Sequence, residues 1–521
     1  MRANLLVTTC VAVTLFGAST MPAVAQDDRA EQDHARYSHV LLISVDGLHA
    51  ADLTRWIADP AHSSGALAGL ARHGAVYPHA YTTGPSDSFP GMIAQATGGT
   101  PRSAGVFYDD SYDRTLFAPG SNCVGDPGTE VQYAENIDKD QNALNAGGTL
   151  GKPLTQIDPA QLPLSKASGA CKPVYPHQFL RVNTLFEVIR AAGGHTAWAD
   201  KHPAYDILNG PSGAGIDDLY TPEINSLIPV EGNTTDDNTT SFTATRNYDE
   251  VKVQAILHEI DGLDSTGSHA APVPNVFGMN FQAVSVGQKL AKSGLLDPLD
   301  LSGGYVDADA TPGNALALQL AYVEDAVGRM AAALKARGLA DETLIIVSAK
   351  HGQSPIDRSK RQAVSDAPIP KTPGYAFHVA DDEALIWLTP QDAAAARAAA
   401  NNYLLGQADA LKIEGVAGRE VLRLFYQDPA TDSRTPDFLA LPQYGVIYTG
   451  GTKLSEHGGF ADDDRNVALL VSAPGIAGHM VDEVVETRQI APTILRALGL
   501  NPRSLQAVQE EGTVVLPTAL R

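Results

Sequence analysis

Two short and continuous apolar segments constrain the fold of this 521-residue chain more than any other feature. His39–Val45 and Leu344–Ser348 lack the polar alternation expected of a strand with one solvated face. Such runs are typical of strands that are buried on both faces of a parallel sheet. Val467–Ser472 is a third run, and helical patterns occur at 316–337 and 391–404. This alternation predicts an α/β fold with a mainly parallel central sheet and helices on both faces.

Composition limits the classes of function. Hydrophobic residues make up 44% and charged residues 19% of the chain, which is typical of a globular protein. There are 37 Lys and Arg residues against 60 Asp and Glu residues, giving a net charge of −23. A protein that wraps nucleic acid needs a basic face, so we expect no such partner. A small phosphorylated substrate remains compatible with this charge, because a few local cations or metal ions suffice to hold it.

The first 25 residues have the features of a secretory signal peptide. Arg2 precedes an apolar run from Leu5 to Phe16, and Ala23-Val24-Ala25 forms a small-residue cleavage site. The alternative is an N-terminal anchor, but this run is shorter than the roughly 20 residues of a membrane span. We therefore expect an exported protein, periplasmic or secreted, with no membrane span.

Removal of the signal peptide leaves two cysteines. Cys123 and Cys171 lie in one Gly-, Pro- and Asn-rich stretch, and an even cysteine count in an exported chain predicts a disulfide. Two free thiols are the alternative. This stretch belongs to one of two predicted insertions, at about 110–178 and 203–271. A small α+β subdomain is expected at about 361–448, between two strands of the main sheet.

Polar residues follow the buried strands directly. Asp46 comes after the first strand, and Lys350 and His351 come after the second. Ligands of parallel sheets bind at the carboxyl ends of the strands. Ser88 precedes a helical stretch, where backbone N–H groups gather around an anion, and His457 lies in a glycine-rich loop. Taken singly, each has a structural alternative, such as capping a helix.

The order of these residues resembles the alkaline phosphatase superfamily and, within it, the nucleotide pyrophosphatase/phosphodiesterase branch, also called type I phosphodiesterases. The resemblance extends from His39 to Pro502. It implies that residues 26–521 form an alkaline-phosphatase-like hydrolase domain, that Ser88 is the nucleophile, and that a metal centre is present. The implied metal ligands are Asp46, Ser88, His351 and His457. The matching motifs are Val45-Asp46-Gly47, Ser86 to Gly91 with Thr97 to Gly99, Ser348 to Gln353, and Glu456 to Gly459.

Four positions depart from the family pattern. Val284 and Gln288 stand where the family has a metal-binding aspartate and histidine, and Lys350 replaces a third ligand, an aspartate. Gly91 replaces an asparagine that helps to hold the phosphoryl oxygen. The expected cofactor is a divalent metal ion, zinc, with one ion or none as an alternative to the family's two. Lys350 would then stabilise the transferred charge as a catalytic residue.

Further residues are candidates for the same site. The polar segment from Asp200 to Gly210 supplies Lys201 and His202, which we expect to bind substrate together with Gly91, and Asp206 is a further candidate. The predicted function is hydrolysis of phosphodiester, pyrophosphate or related ester bonds through a covalent seryl intermediate. One alternative is a sulfatase-like hydrolase, although Met92 occupies the place of the arginine in that motif. The other alternative is an inactive relative that acts as a binding protein.

Overall fold

Two sheets organise the protein, whose computed structural model describes residues 35–229, 236–389 and 394–520. The predicted signal peptide lies outside these described residues. The strands of the two sheets, in chain order, are β1 (His39–Val45), β2 (Gly74–Val76), β3 (Ala197–Ala199), β4 (Asp218–Tyr220), β5 (Val276–Phe281), β6 (Thr343–Ser348), β7 (Tyr375–Ala380), β8 (Ala384–Leu388), β9 (Ile413–Ala417), β10 (Phe438–Pro442), β11 (Leu469–Ser472) and β12 (His479–Met480).

The central sheet has eight strands in the order β12-β2-β11-β6-β1-β5-β3-β4. β1 pairs in parallel with both β5 and β6, and β3 is parallel to β5 and β4. The prediction of a mainly parallel sheet is therefore confirmed. β11, however, runs antiparallel to β6, with Ile345 opposite Ser472. The carboxyl end of β11 therefore lies at the end of the sheet opposite to Asp46 and His351.

Helices cover both faces of this sheet, as predicted. In the described part of the chain, the helices of six or more residues are α1 (Ala50–Ala58), α2 (Ala66–Ala71), α3 (Ser88–Thr97), α4 (Leu185–Ala191), α5 (Phe242–Ile260), α6 (Ala283–Lys289), α7 (Asn314–Ala336), α8 (Ala394–Gly406), α9 (Arg419–Phe425), α10 (Ile490–Ala497) and α11 (Gln506–Glu511). On one face, Val40 and Leu42 of β1 pack in a cluster with residues of α3, α4 and α10. On the other, Leu41 and Ile43 pack with α1, α5 and α7. Among the described residues, none of the helices combines the length and the apolar character needed to cross a membrane.

The segment predicted as a small α+β subdomain contains the second sheet. Its strands are antiparallel, in the order β7-β8-β10-β9. One face packs against Ala400 and Leu404 of α8. The other face packs against Phe107 and Tyr108, which follow α3 in the chain. The second sheet is thereby held against the segment that follows the Ser88 helix.

The predicted disulfide is confirmed. Cys123 and Cys171 form a disulfide, with their Cα atoms 5.9 Å apart and a sequence separation of 48. The bridge closes a long irregular segment on itself, as expected from the position of both cysteines within one predicted insertion.

Candidate active site

The site forms where three parallel strands end beside the start of one helix. β1 and β6 lead into Asp46 and into Lys350-His351, and β3 leads into Asp200-Lys201. α3 begins at Ser88, and the N-cap residue is Asp87, whose carboxylate accepts a hydrogen bond from Phe89 N. Because Asp87 caps the helix, the Ser88 hydroxyl is not used as a cap and is available for chemistry.

The hydroxyl of Ser88 is buried and held between two basic groups. Its Oγ lies 3.2 Å from His351 Nε2 and 3.0 Å from Lys201 Nζ. His351 Nδ1 lies 2.8 Å from Gly352 O, so it carries the proton of the neutral ring and Nε2 is the accepting atom. Ser88 therefore accepts a hydrogen bond from Lys201 and donates one to His351. This is the arrangement of a nucleophile beside a proton acceptor.

Asp46 provides the negative charge of the site. Its Oδ2 accepts hydrogen bonds from Gln282 Nε2 at 2.6 Å and from Asn280 Nδ2 at 3.2 Å. The same oxygen lies 3.7 Å from Lys201 Nζ and 3.6 Å from His351 Nε2. One carboxylate oxygen is thus shared between two amide donors and two basic side chains.

Both members of the ion pair between Asp46 and Lys201 carry their charge. Burial alone would raise the pKa of Asp46, but the positive charges of Lys350 and Lys201 hold it well below its usual range. Burial would lower the pKa of Lys201, but the carboxylates of Asp46 and Asp109 raise it above its ordinary value. A fixed positive charge therefore lies directly beside the Ser88 hydroxyl.

Lys350 is fully buried, and its partners are Asp200 and Tyr205. Its ammonium donates to Asp200 Oδ1 at 2.8 Å and to the Tyr205 hydroxyl at 2.7 Å, and it lies 4.0 Å above the centroid of the Tyr205 ring. Burial lowers its pKa despite the neighbouring charges of Asp200 and Asp46. The lysine in contact with Asp46 and Ser88 is Lys201 and not Lys350.

His457 lies on the other side of His351. The two ring centroids are 4.0 Å apart, and His457 Nδ1 is 3.5 Å from Asp87 Oδ1. Burial, with the positive charges of Lys289 and Lys201, lowers the pKa of His457 well below its usual range, so the ring is neutral. The structure thus brings Asp46, Ser88, His351 and His457 together, although they are far apart in the sequence.

His457 also belongs to a group that could hold a metal ion. Its ring nitrogen and one carboxylate oxygen each of Asp381 and Glu456 all lie within 4.8 Å of one another. These carboxylates already have partners in the described part of the chain. Asp381 accepts a hydrogen bond from the Tyr108 hydroxyl, and Glu456 is paired with Lys289 at 2.8 Å and with Lys453.

The residues present do not fit the family's two-metal centre. Val284 is an apolar residue with no exposed surface, packed in the core. The amide nitrogen of Gln288 donates to Gly47 O at 2.7 Å and to the Tyr305 hydroxyl at 2.8 Å, so it serves to hold the chain after β1. The position beside Asp46 and Ser88 is bordered by the Lys201 ammonium, which repels a cation.

Gly91 and His202 lie close to the site but are constrained by packing. A Cβ atom at Gly91 would lie 2.0 Å from Lys350 O, so α3 and the end of β6 approach too closely for any side chain. His202 Nδ1 lies 2.8 Å from Glu223 Oε2. Asp206 Oδ2 is hydrogen-bonded to His177 Nδ1 at 2.6 Å. Substrate binding by Gly91 and His202 stays a prediction, and any role of Gly91 must be through its backbone.

Sequence reasoning did not find three polar groups of the site. Asn280 and Gln282 hold Asp46, and Asp200 neutralises Lys350. The available signal for Asn280 was its place in an otherwise apolar buried strand, where a polar side chain needs a partner.

Several solved structures have the same fold as this chain. Murine ectonucleotide pyrophosphatase/phosphodiesterase 5 is 13% identical, over 89% of this chain and 96% of that one, with a TM-score of 0.52. Alkaline phosphatase PafA is 12% identical over the same shares of the two chains, with a TM-score of 0.58. Phosphonoacetate hydrolase from Sinorhizobium meliloti 1021, in complex with phosphonoformate, is 14% identical over 89% and 96%, with a TM-score of 0.50. No curated protein sequence matches the chain.

The family itself is shown by the sequence model of type I phosphodiesterases and nucleotide pyrophosphatases. It matches residues 40–463, which include the ends of β1 and β6, the start of α3 and the His457 loop. Members of the surrounding alkaline phosphatase superfamily are metal-dependent. The chain belongs to the type I phosphodiesterase/nucleotide pyrophosphatase family of phosphoester hydrolases.

Proposed function

We propose that the protein hydrolyses phosphodiester or pyrophosphate bonds of small substrates, with Ser88 as the nucleophile. The observation that carries this proposal is the pair of contacts at Ser88 Oγ, with His351 Nε2 at 3.2 Å and Lys201 Nζ at 3.0 Å. A hydroxyl becomes a useful nucleophile when a neighbouring base takes its proton. The adjacent ammonium stabilises the negative charge that develops on a phosphoryl oxygen.

The reaction proceeds in two displacements. Ser88 Oγ attacks phosphorus and its proton passes to His351 Nε2, while the bond to the leaving oxygen breaks on the opposite side. The leaving oxygen takes a proton from solvent. Water then attacks the seryl phosphoester and releases a proton to solvent; the bond from Ser88 to phosphorus breaks, and Ser88 recovers its proton from His351. The charge role that we first predicted for Lys350 belongs in this scheme to Lys201, because Lys201 touches Ser88.

The substrate class and the location are supported by separate observations. A complex of the murine relative, in an inactive form, contains AMP, and the phosphonoacetate hydrolase structure contains phosphonoformate. Both are small molecules with a phosphorus oxyanion, the group that Lys201 is placed to hold. The Cys123–Cys171 bridge supports export, because disulfides persist in oxidising compartments.

Hydrolysis of a chromogenic phosphodiester, bis(p-nitrophenyl) phosphate, tests this function. We expect turnover by the wild type and loss of activity by a factor of at least about 1,000 in Ser88→Ala, because the nucleophile is removed. Ser504→Ala is the matched control, since Ser504 is exposed after α10, and it should keep full activity. Mass spectrometry of acid-quenched wild type should find the phosphoryl adduct on Ser88.

Two results would contradict this proposal. Turnover of p-nitrophenyl sulfate but not of the phosphodiester would favour the sulfatase-like alternative. Absence of turnover with both substrates, and of any adduct, would favour the inactive relative that acts as a binding protein.

A further inference from the structure

The Lys201 ammonium lies beside the two residues that would hold a metal ion next to the nucleophile. Lys201 Nζ is 3.0 Å from Ser88 Oγ and 3.7 Å from Asp46 Oδ2. A zinc ion bound to both residues would lie about 2.0–2.2 Å from each oxygen. The ammonium and the ion would then be close neighbours of like charge, and one excludes the other in this arrangement.

Asp46 is also arranged as the partner of an organic cation. Its Oδ2 accepts hydrogen bonds from two amide groups, those of Gln282 at 2.6 Å and Asn280 at 3.2 Å. These two donors and the Lys201 ammonium all face Oδ2, whereas the buried Oδ1 has no hydrogen-bond partner among the described residues. The backbone carbonyl oxygen of Asn280 accepts a hydrogen bond from Lys252 Nζ at 2.6 Å, which fixes the end of the strand that carries Asn280.

A buried ion pair orients the turn that carries Lys201. Asp200 Oδ1 accepts hydrogen bonds from Lys350 Nζ at 2.8 Å and from the backbone N–H of Lys201 at 2.9 Å. Asp200 Oδ2 accepts one from the indole of Trp198 at 2.9 Å. Asp200 and Lys350 have no exposed surface. Their pair therefore fixes the backbone of Lys201, while the Lys201 side chain is left to reach Ser88.

We propose that the Lys201 ammonium takes the place of the divalent metal ion beside Ser88, so that this site binds and transfers a phosphoryl group without a metal at the nucleophile. This inference rests on the proposed function and deepens it. Lys201 is then a catalytic residue, since it touches the reacting hydroxyl and the phosphoryl oxygen. Lys350 is a positioning residue that acts through Asp200.

The first experiment measures metal content and does not depend on turnover. The protein is incubated with excess Zn²⁺ or Mn²⁺, passed through a desalting column and analysed for metals. We expect the metal content of Ser88→Ala and of Asp46→Asn to differ from that of the wild type by less than about 0.1 ion per chain. The reason is that the Lys201 ammonium disfavours a cation beside these two residues. Chelator treatment should leave the rate of phosphodiester hydrolysis unchanged within about twofold.

The second experiment tests the lysine itself. Lys201→Met should weaken the binding of inorganic phosphate by a factor of roughly 10–100 and lower kcat by a factor of roughly 100–1,000, since a charged donor is lost at the phosphoryl oxygen. Lys201→Arg should keep more of both than Lys201→Met. Lys335→Ala is the matched control, because Lys335 is exposed near the end of α7, before β6 begins. Circular dichroism establishes that each variant is folded.

Two outcomes overturn the inference and leave the proposed function standing. The first is one tightly held ion per chain that Ser88→Ala or Asp46→Asn removes and that activity requires. The second is phosphate binding and kcat in Lys201→Met equal to those of the wild type. An ion lost only in His457→Ala locates metal at Asp381, Glu456 and His457 and supports the inference, because the position beside Ser88 and Asp46 is then without a metal. If the wild type turns over no phosphodiester, the proposed function fails, while phosphate binding by Lys201→Met still tests the role of the lysine.

Discussion

At the scale of single residues, Gly91 shows how closely the parts of the site are packed. Gly91 lies three residues after Ser88, in the first turn of α3, and faces the backbone of Lys350. A Cβ atom there would lie 2.0 Å from the Lys350 carbonyl oxygen and 2.7 Å from its carbon. The asparagine that the family has at this position cannot be accommodated in this arrangement, so its absence follows from the approach of helix and strand.

Substitution of Gly91 tests this packing. We expect Gly91→Ala to lower the free energy of unfolding by about 1–3 kcal/mol or more, because the helix or the strand end must move. Activity should fall by roughly 100-fold, since Ser88 moves with the helix. Gly69→Ala in α2 is the control: its Cβ would meet only the end of the Arg72 side chain, at 3.6 Å. It should gain about 0.5–1 kcal/mol from helix propensity. Urea unfolding measures both, and equal effects would contradict the packing argument.

The sequence was informative for some site residues and silent for others. Asp46 and His351 directly follow apolar strands, and Ser88 begins a helix, so their positions follow from secondary structure alone. Lys201 follows the three-residue strand β3, and the direction of a long side chain after so short a strand has no signature in the sequence. The buried partner of Lys350 is Asp200, 150 positions away in the chain. Such a pairing exists only once the fold has brought the two strand ends together.

At the scale of elements, apolar periodicity predicted burial correctly but not direction. β1 and β6 were expected in one mainly parallel sheet, and they pair in parallel. β11 has the same apolar character, because it is also covered on both faces, yet it runs antiparallel to β6. Hydrophobic pattern reports which faces are buried, and strand direction depends on the connections before and after the strand.

The disulfide gives a prediction for the segment that it closes. The two cysteines are separated by 48 residues, a loop length for which chain entropy predicts up to about 4 kcal/mol of stabilisation. We expect Cys123→Ser with Cys171→Ser to lower the midpoint of urea unfolding and to expose the segment between them to proteolysis. Phosphodiester hydrolysis at low temperature should be unchanged, because neither cysteine belongs to the Ser88 site. Loss of activity in a variant that remains folded would contradict a purely stabilising role.

At the scale of the whole molecule, the excess of acidic over basic residues, 60 against 37, extends into the interior. Both carboxylate oxygens of Asp138 are buried. Burial and the charge of Glu223 raise the pKa of Asp138 to about 9. Burial raises the pKa of Glu223 to about 8. Glu223 is hydrogen-bonded to His202, which follows Lys201 in the chain. Asp138 and Glu223 therefore lie next to the turn that carries Lys201.

These raised pKa values predict that the protein loses stability in alkaline solution. In the unfolded chain both groups ionise near pH 4, whereas in the folded protein they keep their protons up to about pH 8 or 9. Their contribution to the free energy of unfolding is therefore fully present below about pH 4 and is lost as the pH rises through the pKa values of the folded protein.

Between about pH 7 and 9.5, above the ordinary pKa of His202, we expect the free energy of unfolding to fall in the wild type. The fall should be smaller in Asp138→Asn with Glu223→Gln, because the neutral amides have no proton to lose. Asp341→Asn, at an exposed position, should behave as the wild type. Urea unfolding at a series of pH values measures the slopes, and an unchanged slope in the double variant would show that other groups cause the loss.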